Sequence, residues 1–445
     1  MELSTLVKSK IITGHTPSMK KEKFYGGKIN FIKTDNLRDN FIKEPFSDYL
    51  SELGDEKIKN SRLKEFDIIT TIIGATYKII GRSCLVNTTM LPSNINQNIA
   101  LIRADIKKIN PYYLNVYMQS LYGKLYLHWL SRQTEQVNLN CEEVGKLKVA
   151  RFSNSFEESL AALNKKSYGL NIISNEKYSK AENLLISELA LENFNPSNEK
   201  ISIKTLKESF LKTGRLDSEY YQVKYDEYLE KIKLNKHTTI SNEFGLIKDK
   251  MKNGLGSYNY VEIGDVNVSD GKSSPKVIDE KDLPTNAKLM PQKGDLLVSK
   301  VRPNRGAISI IEEDHSNLVV SGAFTVLREK KESNYRVETL KALLRTPIYS
   351  DWLLKFNVGT SYPVITDEDI LSLPIPIIKF NVQDEIARYI KQSMEYSKKA
   401  KELLNISTEA VEIAIDKDEQ TAQNFLDRQT DRQTDRQTDR QTDRD

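Results

Sequence analysis

Cysteine, histidine and tryptophan are scarce in these 445 residues, with two Cys, four His and two Trp. Cys84 and Cys141 stand far apart and form no CxxC pair, which argues against a disulfide framework or a cysteine-based zinc site and leaves two plain thiols. His15, His128, His237 and His315 share no metal-ligand spacing, and no Gly-x4-Gly-Lys-Ser/Thr phosphate loop occurs, so nuclease and ATPase chemistry have no foothold. No apolar run approaches the ~18 residues that span a bilayer, and Met1-Glu2-Leu3-Ser4 opens no signal peptide, so the expected location is cytoplasmic, away from membranes. Charge of one sign is also lacking. The 66 Lys and Arg against 62 Asp and Glu leave a net +4, too little to announce a polyanion partner. Hydrophobic residues, 38% of the chain, suffice for a core in each of the two or three domains that this length suggests.

What is present is a repeat. Phe66-Asp67-Ile68-Ile69 returns as Gly294-Asp295-Leu296-Leu297, an offset of 295 − 67 = 228. Leu101-Ile102-Arg103 returns as Val326-Leu327-Arg328 at 225, and Thr134, Asn140, Val144 and Leu147 return as Thr360, Thr366, Ile370 and Leu373 at 226. A drift of a few residues is what loop insertions between duplicated domains produce. Each copy runs through a strand-rich, aromatic region and then a long heptad-patterned helix. Leu163, Leu170, Leu184 and Leu191 share one seven-residue register, interrupted by Ser167, Ser174, Lys177 and Glu188 on the two seams, with Leu185 and Leu189 just beside them. Ile390, Leu404 and Val411 share a register in the second helix, and Leu163 to Ile390 and Leu184 to Val411 both step by 227. A helix of about 36 residues is roughly 55 Å long, too long for one small domain to cover, so the two are expected to pair antiparallel.

The basic residues cluster in loop-type stretches. In the first copy they are Thr16, Ser18, Lys20, Lys21, Lys23 and Tyr25, followed by Lys33, Asn36, Lys78 and Arg82. In the second they are Lys250, Lys252, Asn253, Tyr258 and Asn259, and then Lys300, Arg302, Asn304 and Arg305 after the Gly-Asp turn. Lysine and arginine neutralise phosphates, while Arg and Asn make the bidentate contacts that distinguish bases, which makes these the candidate DNA-binding residues. A solvated charged face is the competing reading of each stretch.

These residues resemble the specificity subunits of type I restriction-modification systems. The family's opening pattern is similar to Thr16-Pro17-Ser18, Tyr25-Gly26-Gly27 and Phe31-Ile32-Lys33-Thr34-Asp35-Asn36. Its Gly-Asp-Leu-Leu turn and basic loop resemble Gly294 to Leu297 and Lys300 to Arg305. Its closing pattern resembles Gly359-Thr360, Ile365, Leu373-Pro374-Ile375-Pro376, Gln383 and Ile386, and Arg215 to Tyr221 resembles the entry into a second domain. The first copy departs from the pattern, with Phe66 in place of the glycine and no prolines in Lys146-Leu147-Lys148-Val149. The resemblance implies an α/β (α+β) chain of two tandem target-recognition domains, at 1–152 and 195–379. Long spacer helices follow them at 153–194 and 380–426, pairing as an antiparallel coiled coil, and a tail follows at 427–445. It implies a non-catalytic subunit that reads one half of a split double-stranded DNA site with each domain. Its helices, through Leu163, Leu170, Leu184, Leu191, Ile390, Leu404 and Val411, would dock two methyltransferase subunits, and restriction and translocase subunits can join. No cofactor belongs to this chain; S-adenosylmethionine belongs to the methyltransferase, and ATP and Mg to the nuclease.

Two other functions remain open at this stage. Asn110-Pro111-Tyr112-Tyr113 is superficially similar to the Asn-Pro-Pro-Tyr loop of adenine methyltransferases, but it lacks the second proline and has no Gly-rich cofactor loop upstream, so a methyltransferase is disfavoured. A coiled-coil scaffold without sequence-specific DNA binding would fit solvated loops. The tail adds a different signal, since Asp427-Arg428-Gln429-Thr430 begins a unit that occurs four times to Thr442. A GACA tract read in triplets encodes this cycle, so slippage by one repeat would shift the frame and make the gene phase-variable.

Overall fold

The computed structural model describes residues 1–18, 20–38, 41–42, 46, 48–74, 79–133, 137–199, 201–268, 271–358 and 363–429. Lys78, Thr134, Gly359, Thr360 and the repeat from Thr430 on lie outside them. The chain divides into two compact units, residues 1–172 with 396–445, and residues 173–395. Each unit therefore holds one strand-rich domain and its own stretch of both long helices.

In the first unit a four-stranded antiparallel sheet runs in the order Ile12–Thr13, Ile99–Arg103, Asp67–Thr71, Ser83–Leu85. Its strand Asp67–Thr71 is buried at every position, and the β-branched run Ile68-Ile69-Thr70-Thr71 suits a pleated surface covered on both faces. A second sheet sets Tyr25–Ile32 antiparallel to Tyr49–Leu50 and parallel to Ser93–Ile95. The second unit repeats this plan. Phe244–Leu246, Phe324–Glu329, Leu296–Ser299 and Ile308–Ile310 form the antiparallel sheet, and Ser257–Val261 pairs antiparallel with Lys276–Asp279 and parallel with Leu318–Ser321.

The repeat extends to individual hydrogen bonds. Asp67 accepts two bonds from the Arg103 guanidinium, both at 2.7 Å, and a third from the Lys64 amide at 2.7 Å. Asp295 does the same with Arg328, at 2.7 and 2.8 Å, and with the Gln292 amide at 2.8 Å. Both carboxylates are buried, and a buried carboxylate is stable only when such donors replace its water. The residue before each aspartate has left-handed backbone, φ +90° at Gly294 and φ +68° at Phe66, so the first copy keeps the turn without the glycine that makes it easy. Thr366–Asp369 and Asn140–Glu143 form matching capping boxes, 226 residues apart (366 − 140). Ser120 and Thr346, also 226 apart (346 − 120), each cap the second helix of a pair, Leu121–Leu130 and Pro347–Leu354. Those two helices differ in their surroundings. Trp352 is 3% exposed and packs against the Tyr228 and Tyr349 rings, whereas Trp129 is 75% exposed.

The first long helix is Asn154–Glu188 and the second Phe380–Asp416. The second is shorter than 380–426: it ends at Asp416, and Asp418 accepts from the Thr421 amide at 2.7 Å to start a new helical run at 419. Within the first unit, Ser167 donates to the Ala400 carbonyl at 2.7 Å and the Ser153 amide donates to Glu419 at 2.9 Å. Within the second, Ser174 donates to the Ser393 carbonyl at 2.7 Å and the Lys177 ammonium lies 5.6 Å from the Tyr389 ring centre. In both cases a forward step on one segment is a backward step on the other, so the segments run antiparallel in each unit. The serines that look like interruptions of the heptads are buried contacts between the two segments.

Ile390 and Val411 are buried in the cores of their own units, and Leu163, Leu170, Leu184 and Leu404 are half-buried. Leu191 is buried past the end of the first helix, after Ala190 turns left-handed at φ +50°. Ala181, Leu185 and Leu189 form the buried row near that end, so Leu185 and Leu189, beside the expected seams, pack better than Leu184 on its seam. Ile390, Val411 and Leu191 hold the protein's own cores together, a correction to their assignment as partner-facing residues.

Candidate nucleic-acid interface

In the second unit, basic residues from three separate stretches of chain meet around a cleft of about 440 Å³. Lys248, Lys250 and Asn253 come from the loop after Phe244–Leu246, Lys288 from the strand Ala287–Leu289, and Lys300 from the end of Leu296–Ser299. Leu246, Phe324 and Val326 add apolar wall, and Asp367 is the one carboxylate among the described lining residues. Lys300 pairs with Asp367 at 3.1 Å, and Thr325 donates to the same carboxylate at 2.6 Å, so this lysine starts from a protein partner while Lys248 and Lys250 are exposed. Four ammonium groups around one concavity make a surface suited to anionic groups such as phosphates.

Beside Lys300 the chain makes a basic turn. The Arg302 amide donates to the Pro363 carbonyl at 2.7 Å with φ +50°, the short helix Pro303–Arg305 follows, and Gly306 leaves it at φ +72°. Asn304 and Arg305 are exposed at its tip and Arg302 is half-buried. Asn259 is committed to the protein, donating to Asn317 at 2.8 Å. Tyr258 is a correction: it is fully buried, its hydroxyl bonded to the Lys252 carbonyl, because alternation along Ser257–Val261 turns Tyr258 and Tyr260 inward together. Lys252 and Asn253 are exposed.

In the first unit Ser18, Lys20, Lys21 and Lys23 are exposed around the short helix Glu22–Phe24 that leads into Tyr25–Ile32. Lys23 also lies 5.6 Å from the Phe24 ring centre. Thr16 donates to Gln97, Lys33 pairs with Asp48, and Tyr25 donates to the Pro17 carbonyl at 2.6 Å. Burial, and secondarily the Asp48 charge, push the Tyr25 hydroxyl above its ordinary value, which keeps it a neutral donor. Asn36 is a second correction: it is 5% exposed and its side chain accepts from the Lys33 amide at 3.0 Å, a turn-forming role. Arg82 is half-buried near the start of Ser83–Leu85.

Asn110 caps the helix Pro111–Gln119 by accepting from the Tyr112 amide at 3.0 Å, and buried Tyr113 donates to the Ala150 carbonyl at 2.7 Å. The Asn-Pro-Tyr-Tyr segment thus serves as a helix start. Among the described residues no group of three or more His, Cys, Asp or Glu could hold a metal ion, and no helix is long and apolar enough to cross a membrane.

Comparison with known proteins adds four likenesses. Residues 226–405 match the family described as "Type I restriction modification DNA specificity domain". A 109-residue stretch, 24% of the chain, is 35% identical to the type I restriction enzyme HindI specificity subunit of Haemophilus influenzae (strain ATCC 51907 / DSM 11121 / KW20 / Rd), and spans 23% of that relative's length. Over 96% of the chain the structure is similar to 94% of the type I restriction-modification S subunit from M. genitalium, at 11% identity and a TM-score of 0.42. It is also similar, over 94% of the chain, to 96% of the HsdS subunit from Thermoanaerobacter tengcongensis, at 14% identity and a TM-score of 0.29.

Proposed function

We propose, from the premise that this chain belongs to the family of type I restriction-modification specificity subunits, that it is the non-catalytic DNA-reading subunit of such a complex. Each unit reads one half of a split double-stranded site, and the long helices set the gap and carry two methyltransferase subunits. Restriction and translocase subunits complete a nuclease form. S-adenosylmethionine, ATP and Mg serve the partners. The observation that carries this reading is the duplication: one fold twice, down to the Asp67–Arg103 and Asp295–Arg328 pairs, with different basic loops on the two copies. Two unlike readers suit two unlike half-sites.

The test is to co-express the chain with the neighbouring methyltransferase gene and map the methylated adenines. A split motif with unlike halves and a fixed gap is expected; an unsplit motif would confine reading to one unit. The scaffold alternative predicts no sequence preference and a shallow salt dependence, whereas phosphate neutralisation gives a log–log slope of about −0.9 per contact. The Asp-Arg-Gln-Thr cycle supports a phase-variable gene, and an invariant repeat number across many colonies would sink that part.

A further inference from the structure

Arg302 and Arg305 can read DNA only if the turn that carries them is held still, and the second unit contains a group placed to hold it. Arg345, the last residue of the helix Val337–Arg345, is turned inward. Its Nη1 donates to the Gly306 carbonyl at 2.7 Å, at the exit of the basic turn. Its Nη2 donates to the Val268 carbonyl at 2.9 Å, and its Nε to the Tyr178 hydroxyl of the first long helix at 2.6 Å. One turn earlier on the same helix, fully buried Lys341 donates to the Gly271 carbonyl at 2.9 Å. Lys272, next along, donates to the Met394 carbonyl of the second long helix at 2.6 Å. The backbone at Val268 and Gly271, the Lys272 side chain and the turn Arg302 to Gly306 are thus tied to the Val337–Arg345 helix and to both long-helix stretches of this unit.

The planar fork of arginine can meet three acceptors at once; a lysine ammonium in its place reaches one point. The glycine at 306, with φ +72°, leaves the loop with a soft exit that needs an external tie to keep one conformation. We propose that Arg345 is the positioning residue for the second unit's reading loop, fixing Arg302 to Arg305 against the first long helix through Gly306 and Tyr178. This rests on the DNA-reading function proposed above, and concerns specificity at one half-site only.

Two measurements on the full chain separate the tie from the reading. The first is limited trypsin digestion. Arg302 precedes a proline and resists cleavage, so the Arg305–Gly306 bond reports directly on the turn. Arg345→Met, which keeps the stem and removes the fork, is expected to speed cleavage there roughly tenfold while sites in the first unit keep their rates. Tyr178→Phe keeps the ring and removes the hydroxyl that accepts from Arg345 and also bonds Glu182, so it is read beside Glu182→Gln, which should leave cleavage unchanged; Tyr178→Phe is expected to speed cleavage by a few-fold, and Arg345→Lys to rescue little. The second is methylation mapping in the co-expressed complex, where Arg345→Met should keep one half of the motif and lose base preference in the other. Unchanged cleavage in both Arg345→Met and Tyr178→Phe overturns the tie, whatever the DNA result. Faster cleavage with both halves still read at wild-type stringency overturns the role in specificity. A wild-type protein without a split motif would instead overturn the function proposed above, and the digestion would still decide the tie.

Discussion

At the scale of single residues, the best-defined feature is the buried aspartate with its arginine fork. Removing Arg103 leaves Asp67 buried with one amide donor, and stranding a buried charge costs about 3–5 kcal/mol. The Arg103 side chain is 26% exposed, so water recovers part of that loss and the lower end applies. Arg103→Met should therefore cost about 3 kcal/mol in urea unfolding followed by a probe in the first unit; a loss under about 1 kcal/mol would show that the pair is solvated in practice. Glu182 gives a pH-dependent case. Burial holds its carboxyl above the ordinary 4.5, against the lowering pull of Arg345 and Tyr178. In the window above 4.5 the unfolded chain has released this proton and the folded chain has kept it, so stability is full below the window and falls as pH rises through it. Glu182→Gln should raise the melting temperature at pH 7 and leave it unchanged at pH 4. An equal gain at both pH values would show that the carboxyl's titration is not the cause.

At the scale of elements, the polar residues within the helix seams carry the lesson. Ser167 and Ser174 are buried, and each gives its hydroxyl to a carbonyl on the facing segment. Ser174→Ala keeps the close approach and should cost about 1 kcal/mol, while Ser174→Leu overpacks it and should cost about 1–3 kcal/mol or more, read from denaturant midpoints of the full chain. A Leu variant as stable as wild type would mean that the segments are not in close contact there. The repeat and the two-helix plan were legible in the sequence because each shows in short-range patterns: Asp after a turn residue, leucine at seven-residue intervals; that Asn140 and Thr366, landmarks of the repeat, are also helix caps emerged only with the fold. Ser167 and Ser174 were not legible, since a buried serine and an interrupting serine look alike until the facing carbonyl is known. The cleft was legible only in part. Lys250 and Lys300 were found as members of basic stretches, but Lys288 sits alone between Ala287 and Leu289, and only strand alternation and the fold bring it to the other lysines. Tyr258 and Asn36 failed for the opposite reason, as their neighbourhoods are polar while their own side chains turn inward.

At the scale of the whole molecule, the proposed ruler can be lengthened. Seven residues inserted at paired positions in both long helices add about 10.5 Å at 1.5 Å per residue and preserve the heptad register. Against ~3.4 Å per base pair this predicts a gap in the methylated motif longer by about three base pairs, with both halves unchanged. An unchanged gap would remove the helices from the role of spacer.

The two tryptophans offer one more consequence. Each unit owns one: Trp352 is sealed beneath tyrosines, and Trp129 faces water. Native fluorescence should thus be a sum of two colours, a blue-shifted component that acrylamide scarcely quenches and a red-shifted one that it quenches readily. The blue component should vanish only when the second unit opens, so a single unlabelled sample reports which half of the duplicated protein gives way first.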